Sequence, residues 1–128
     1  YAAAGGNDQY IYPWGSTPGP TGLAVFGCDG ATTLCTIPDV GSDSPGGDGK
    51  WGHADLAGSM AEWTLDYHGT FIVPCANCAT LMDMGNGREA RGGDFSHDAG
   101  ALETTSRLGL APGSPANDFM GIRCARDE

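Results

Sequence analysis

WGHADLAGSMAEW, from Trp51 to Trp63, is the stretch on which the reading of this chain turns. It sets two carboxylates, Asp55 and Glu62, on either side of a turn containing Gly58. Residues 56–67 are also the only part of the chain with partial helical spacing, so a helix is the first expectation, weakened by Gly52 and Gly58 because glycine costs a helix about 1 kcal/mol relative to alanine. The tail of the stretch, Thr64 to Tyr67, alternates and suits a strand. Two more motifs follow in order, Arg91-Gly92-Gly93 and Gly121-Ile122-Arg123. Three separated motifs in a fixed order are much harder to meet by chance than any one of them.

The surroundings bound the answer. A chain of 128 residues suffices for one domain with one modest core, and residues 1–128 are read as a single domain. The 22 glycines and 8 prolines approach a disordered composition, but three Trp, four Tyr and four Phe argue for a folded, turn-rich domain. A net charge of -10 repels phosphate backbones and anionic membranes, which excludes nucleic acid as a partner and leaves cations, basic peptides and neutral sugars. No segment approaches the ~20 apolar residues of a membrane helix, so no membrane insertion is expected. With no initiator Met and no signal sequence, the chain reads as a mature or excised piece. Five cysteines include one C-x-x-C, Cys75 to Cys78, and no second one, so zinc is the minor reading and disulfides in an extracytoplasmic or secreted setting the major one. Cys28 and Cys35 are placed to close a small loop, and Cys124 has no obvious partner.

Along the chain, short strands are expected at residues 23–26, 71–73, 106–110 and 119–125. Asn86-Gly87 is the strongest two-residue hairpin signal, which predicts a hairpin between residues 80–84 and 88–92. Tyr12, Trp14, Trp51 and Trp63 are expected as core or binding aromatics, the three tryptophans chiefly as core anchors, with stacking of one on a sugar ring as the minor alternative. Arg91, Arg107 and Arg123 are half of the basic residues and face 16 acids, which marks them as structural ion-pair partners rather than anion receptors.

Taken in order, Tyr12-Pro13-Trp14-Gly15, Val40-Gly41-Ser42, Trp51 to Trp63, Asp66, Arg91-Gly92-Gly93, Arg107 and Gly121-Ile122-Arg123-Cys124 resemble the C-terminal part of the formylglycine-generating enzyme (sulfatase-modifying factor) family. The resemblance implies an irregular, loop-rich α+β fold related to C-type lectins, with short strands and little helix. It departs from the family pattern at Ser59 and Ala61, where Asn and Trp are usual. It also implies Ca²⁺ held by the side chains of Asp55 and Glu62 and the backbone carbonyls of Gly58 and Met60. That donor set agrees with the preference of Ca²⁺ for six to eight hard oxygens. A second calcium site, which in the family uses an Asn near Ala24 or Val25, is expected to be weakened or lost.

The family's catalysts bind Cu(I) through a Cys pair after the Arg-Gly-Gly motif, soft thiolates suiting that ion. Residues 92–107 contain no Cys; His97 and Leu102 stand nearest to the two positions. Oxidation of a substrate Cys by that chemistry is therefore not expected, and no catalytic residue is assigned. His53, His68 and His97 have no ligand-like spacing, His97 reads as an ordinary loop residue, and Ser114 has no readable base. The leading reading is a non-catalytic, calcium-stabilised binding domain for a protein or glycan ligand. Its ligand-binding residues would be Phe95, Ser96, His97, Asp98 and Asp118, on the loops around the lost active site. The alternatives are an enzyme of the same family using other residues, and a structural subunit that self-assembles or pairs with another chain.

Overall fold

The computed structural model describes residues 1–17, 19–28, 35–70, 74, 78–111 and 118–124. Four short strands form one sheet: β1 (Ala61–Tyr67), β2 (Arg88–Arg91), β3 (Leu108–Leu110) and β4 (Met120–Gly121), in the order β3-β2-β1-β4. β2 runs antiparallel to β1 and to β3, while β4 lies parallel to β1 with Ala61 opposite Met120 and Glu62 opposite Gly121. Two 3₁₀ turns, Gly6–Asp8 and Ala99–Leu102, are the only helical elements among the described residues. The irregular, loop-rich fold with little helix is thus the one expected, with the sheet as its centre.

The helix expected over residues 56–67 does not form. Asp55, Gly58 and Ser59 take left-handed φ values of 55°, 79° and 57°, which a right-handed helix excludes, and the chain enters β1 from this kinked turn. Gly58 is needed here for space as well as for φ. A Cβ on it would stand 2.7 Å from the Val25 carbonyl oxygen, and the Val25 carbonyl accepts a hydrogen bond from Ser59 N. The segment at residues 23–26 is accordingly not a strand but a bridged turn, Thr21 against Ala24.

The Asn86-Gly87 hairpin is also not made. Residues 80–84 carry no strand, and β2 pairs with β1 and β3 instead. Gly87 serves a close approach: a Cβ there would lie 2.0 Å from the Leu110 carbonyl oxygen, so only glycine lets β2 start flush against the end of β3. The strand expected at 106–110 appears as Leu108–Leu110, and the one at 119–125 as the two residues of β4. The run at 71–73 lies outside the described residues, as do most of residues 111–117, which were read as loop.

Among the described residues the buried apolar side chains are few: Pro13, Cys28, Ala57, Ala61, Ala90 and Leu102. The tryptophans are not core anchors. Trp51 and Trp63 are 49% and 41% exposed, and Trp14 is half-buried in a stack on Tyr12. Polar groups carry much of the interior instead. Glu89, 1% exposed, sits on β2 between two arginines: its Oε1 accepts from Arg91 Nε at 2.6 Å and its Oε2 from Arg107 Nε at 2.6 Å and from Arg107 Nη2. Burial is the largest influence on this carboxyl and pushes its pKa up. The hydrogen bond from Arg107, with the charges of Arg91 and Arg107, outweighs burial and holds it below the ordinary 4.5. The same arginines tie loops to the sheet, Arg91 through the carbonyls of Thr104 and Ser106 and Arg107 through that of Gly69. Cys28 and Cys35 are joined, Cys78 is disulfide-bonded, and Cys124 is free and exposed; Cys75 lies outside the described residues.

Candidate functional site

The kinked turn before β1 brings all four residues expected to hold calcium to one place. Asp55, Gly58, Met60 and Glu62 line a cavity of about 300 Å³, together with Asp39 and Arg123. Asp55 Oδ2 accepts from Gly41 N at 2.7 Å, which fastens the 39–41 turn to the site, and its Oδ1 takes no hydrogen bond among the described residues. Glu62 faces Arg123, whose Nε and Nη2 each donate at 2.9 Å, one to each carboxylate oxygen. Nη2 also donates to the carbonyls of Ala54 at 2.9 Å and Asp55 at 3.0 Å. Two carboxylates are of the kind Ca²⁺ takes, while the Gly58 carbonyl accepts a hydrogen bond from Met60 N at 2.7 Å. Among the described residues no three His, Cys, Asp or Glu side chains converge as a metal site, so calcium here would depend on the backbone carbonyls.

The second region is the loop after Arg91-Gly92-Gly93. Asp94 is fully buried and its carboxylate organises the turn. Oδ1 accepts from Ser96 N at 2.8 Å and Ser96 Oγ at 2.7 Å, and Oδ2 accepts from His97 Nδ1 at 2.7 Å. Neighbouring backbone clamps the loop from outside: Phe95 N donates to Ser59 O, Cys28 N to Phe95 O, and Gly27 N to His97 O. Asp98 caps the Ala99–Leu102 turn by accepting from Gly100 N. The His97 ring, 48% exposed, meets Phe119 edge-on with centroids 6.5 Å apart. Asp118, exposed, directly precedes Phe119. Of the five residues expected to bind ligand, Phe95, Ser96, His97 and Asp98 share the stapled loop, and Asp118 precedes the phenylalanine that His97 touches.

This constellation is not a nucleophilic triad. Ser96 Oγ is engaged with the Asp94 carboxylate, the group that also holds His97, and so lacks the nucleophile-to-imidazole hydrogen bond such chemistry needs.

The whole chain, residues 1–128, matches the family model described as the sulfatase-modifying factor enzyme 1-like domain. The chain belongs to this family. No curated protein matches it. Among solved structures it is similar to Treponema denticola variable protein 1, with a TM-score of 0.70 and 23% identity over 95% of this chain and 42% of that one. At that identity the likeness is one of fold, and this chain spans less than half the length of that structure.

Within the sulfatase-modifying factor scaffold, the two positions nearest to the family's copper cysteines have separate fates. His97 is a surface residue of the stapled loop, whereas Leu102 is 1% exposed and packs in the core. The arginines expected as ion-pair partners all act as such, Arg91 and Arg107 on Glu89 and Arg123 on Glu62. The sequence reading gave no role to Asp94, and it held Ile122 only as part of the Gly121-Ile122-Arg123 motif. For Asp94 a signal exists, since Asp two residues before Ser is a pattern for an Asx-turn. Ile122 follows β4, a strand expected from the sequence whose parallel pairing with β1 no local pattern announces.

Proposed function

We propose that this domain is a non-catalytic binding module of the sulfatase-modifying factor family, stabilised by calcium, whose ligand docks on the Phe95–Asp98 loop with Phe119 and Asp118. The observation that carries this reading is the buried Asp94 carboxylate. It fixes Ser96 and His97 in place before any ligand arrives, so binding loses little conformational entropy. The resulting surface offers exposed polar groups at Ser96, His97, Asp98 and Asp118 beside an aromatic edge, the mixture that suits a glycan or a peptide. The acidic chain favours neutral or basic ligands. The lack of any Cys in residues 92–107 speaks against the family's copper chemistry. Calcium is supported by the convergence of Asp55, Gly58, Met60 and Glu62 on one cavity. The disulfides favour an extracytoplasmic location.

The test is a panel of immobilised glycans and peptides, probed in calcium and then in EDTA. Saturable binding that EDTA weakens agrees with the proposal; a surface inert to both classes sinks it. One observation favours a second reading, an assembly module. Trp63 and Leu65 are exposed on β1, and Leu81, Met82 and Met84 are exposed as well. Trp63 and Leu65 stand two apart on one strand and so share a face of the sheet, and adjoining exposed apolar residues mark contact surfaces. Sedimentation decides between the two, since a compact monomer at high concentration removes the second.

A further inference from the structure

Glu62 offers one bidentate edge, and in this structure that edge is taken. Arg123 meets both carboxylate oxygens at 2.9 Å in the parallel two-bond geometry that makes guanidinium–carboxylate pairs strong. The remaining reach of the guanidinium goes to the carbonyls of Ala54 and Asp55, the backbone that leads into the kinked turn. Arg123 thus closes the turn as an internal cation, spanning from the segment after β4 to residues 54–62. A calcium ion would bring its positive charge to the same carboxylate. Bound bidentately at the 2.3–2.6 Å usual for Ca²⁺, it needs the edge that the guanidinium now fills. In that chelating mode the ion displaces the guanidinium from the edge.

We infer that Arg123 and Ca²⁺ are alternative occupants of Glu62, so that calcium uptake releases the segment after β4. The inference rests on the calcium reading above and adds its regulation. Release has a place to act. Ile122, 83% exposed, lines the same cavity as Asp55 and Glu62, and Arg123 is the residue next to it. The contacts that Arg123 makes to Glu62, Ala54 and Asp55 run from this segment to the turn before β1. When they are surrendered, that side of the cavity loosens while the turn tightens around the ion. Calcium then sets the shape of the cavity as well as the stability of the turn.

Calorimetric titration of CaCl₂ into EDTA-stripped wild type, R123Q and R123K is the test, combined with amide exchange of residues 121–124 in the wild type with and without calcium. Competition predicts that R123Q binds calcium about tenfold more tightly than wild type, within the usual range of coupling between two ligands. R123K, which keeps the charge but lacks the fork, falls between them. Calcium should also speed exchange at residues 122–124 in the wild type, a readout that needs no variant to fold. Wild-type binding with equal or weaker binding by R123Q, or exchange that calcium leaves unchanged or slows, overturns the competition while leaving the calcium reading intact. No binding by any of the three proteins overturns both.

Discussion

Replacing Glu89 by Gln removes one negative charge from the most buried ion cluster in the fold. Glu89 is 1% exposed and bonds to Arg91 and Arg107, whose side chains are 29% and 17% exposed. The substitution keeps the size and one acceptor, yet removes the carboxylate charge that both guanidiniums meet. Removing one partner of a buried pair costs about 3–5 kcal/mol. Both arginines retain some solvent, which screens them and sets the expectation at the low end, about 3 kcal/mol. For a chain of this size each kcal/mol moves the midpoint by roughly 3–5 °C, so a drop on the order of 10 °C is expected. Thermal and urea melts followed by tryptophan fluorescence measure it, with unchanged m-value as the check that the same transition is seen. The pH dependence gives an independent handle. The folded pKa of Glu89 lies below its ordinary 4.5, so its contribution is fully present above that value and is lost as pH falls through the lower, folded one. Wild type should lose stability in that window more steeply than E89Q. A loss under about 1 kcal/mol at neutral pH, or parallel acid profiles, would refute the claim that this cluster holds the sheet to its loops.

Three further outcomes follow from the same contacts. Gly58→Ala forces a Cβ to 2.7 Å from the Val25 carbonyl at a φ of 79°, and should cost about 2 kcal/mol or more by urea melt, whereas Gly52→Ala, with nothing near its Cβ, should cost only its backbone strain of about 1–2 kcal/mol. Asp94→Asn lowers the charge of a fully buried acceptor of three hydrogen bonds; about 2 kcal/mol of stability and faster proteolytic nicking near residues 95–98 are expected. Replacing Cys28 and Cys35 together by Ser opens a loop with a sequence separation of 7 and should remove about 2–3 kcal/mol, read by chemical denaturation.

What could be read from the sequence divides along a physical line. Ordered motifs located the turn at Asp55 and Glu62, and charge counting located the ion-pair arginines, because both depend on residue type and chain order. Periodicity failed at residues 56–67, since three left-handed residues in a row of five override the spacing of apolar side chains. The Asn86-Gly87 signal failed for a related reason: the glycine is demanded by the backbone of β3, a neighbour distant in sequence. Tryptophans that burial arguments place in a core lie half in solvent, and among the described residues the buried side chains are mostly small apolar ones and the Glu89 and Asp94 carboxylates. The loop after Arg91-Gly92-Gly93 stood out in the sequence through its motif, whereas its buried staple at Asp94 is a tertiary fact.

As proposed above, the ligand sits on the loop that Asp94 holds. Backbone amide chemical-shift mapping, with the strongest hit of the glycan and peptide panel titrated into labelled protein in calcium, tests it most directly. Saturable shifts concentrated at Phe95 to Asp98 and at Asp118 and Phe119 are the expected result. Shifts centred instead on Trp51 or on the exposed face of β1, with the Asp94 loop unmoved, would contradict it.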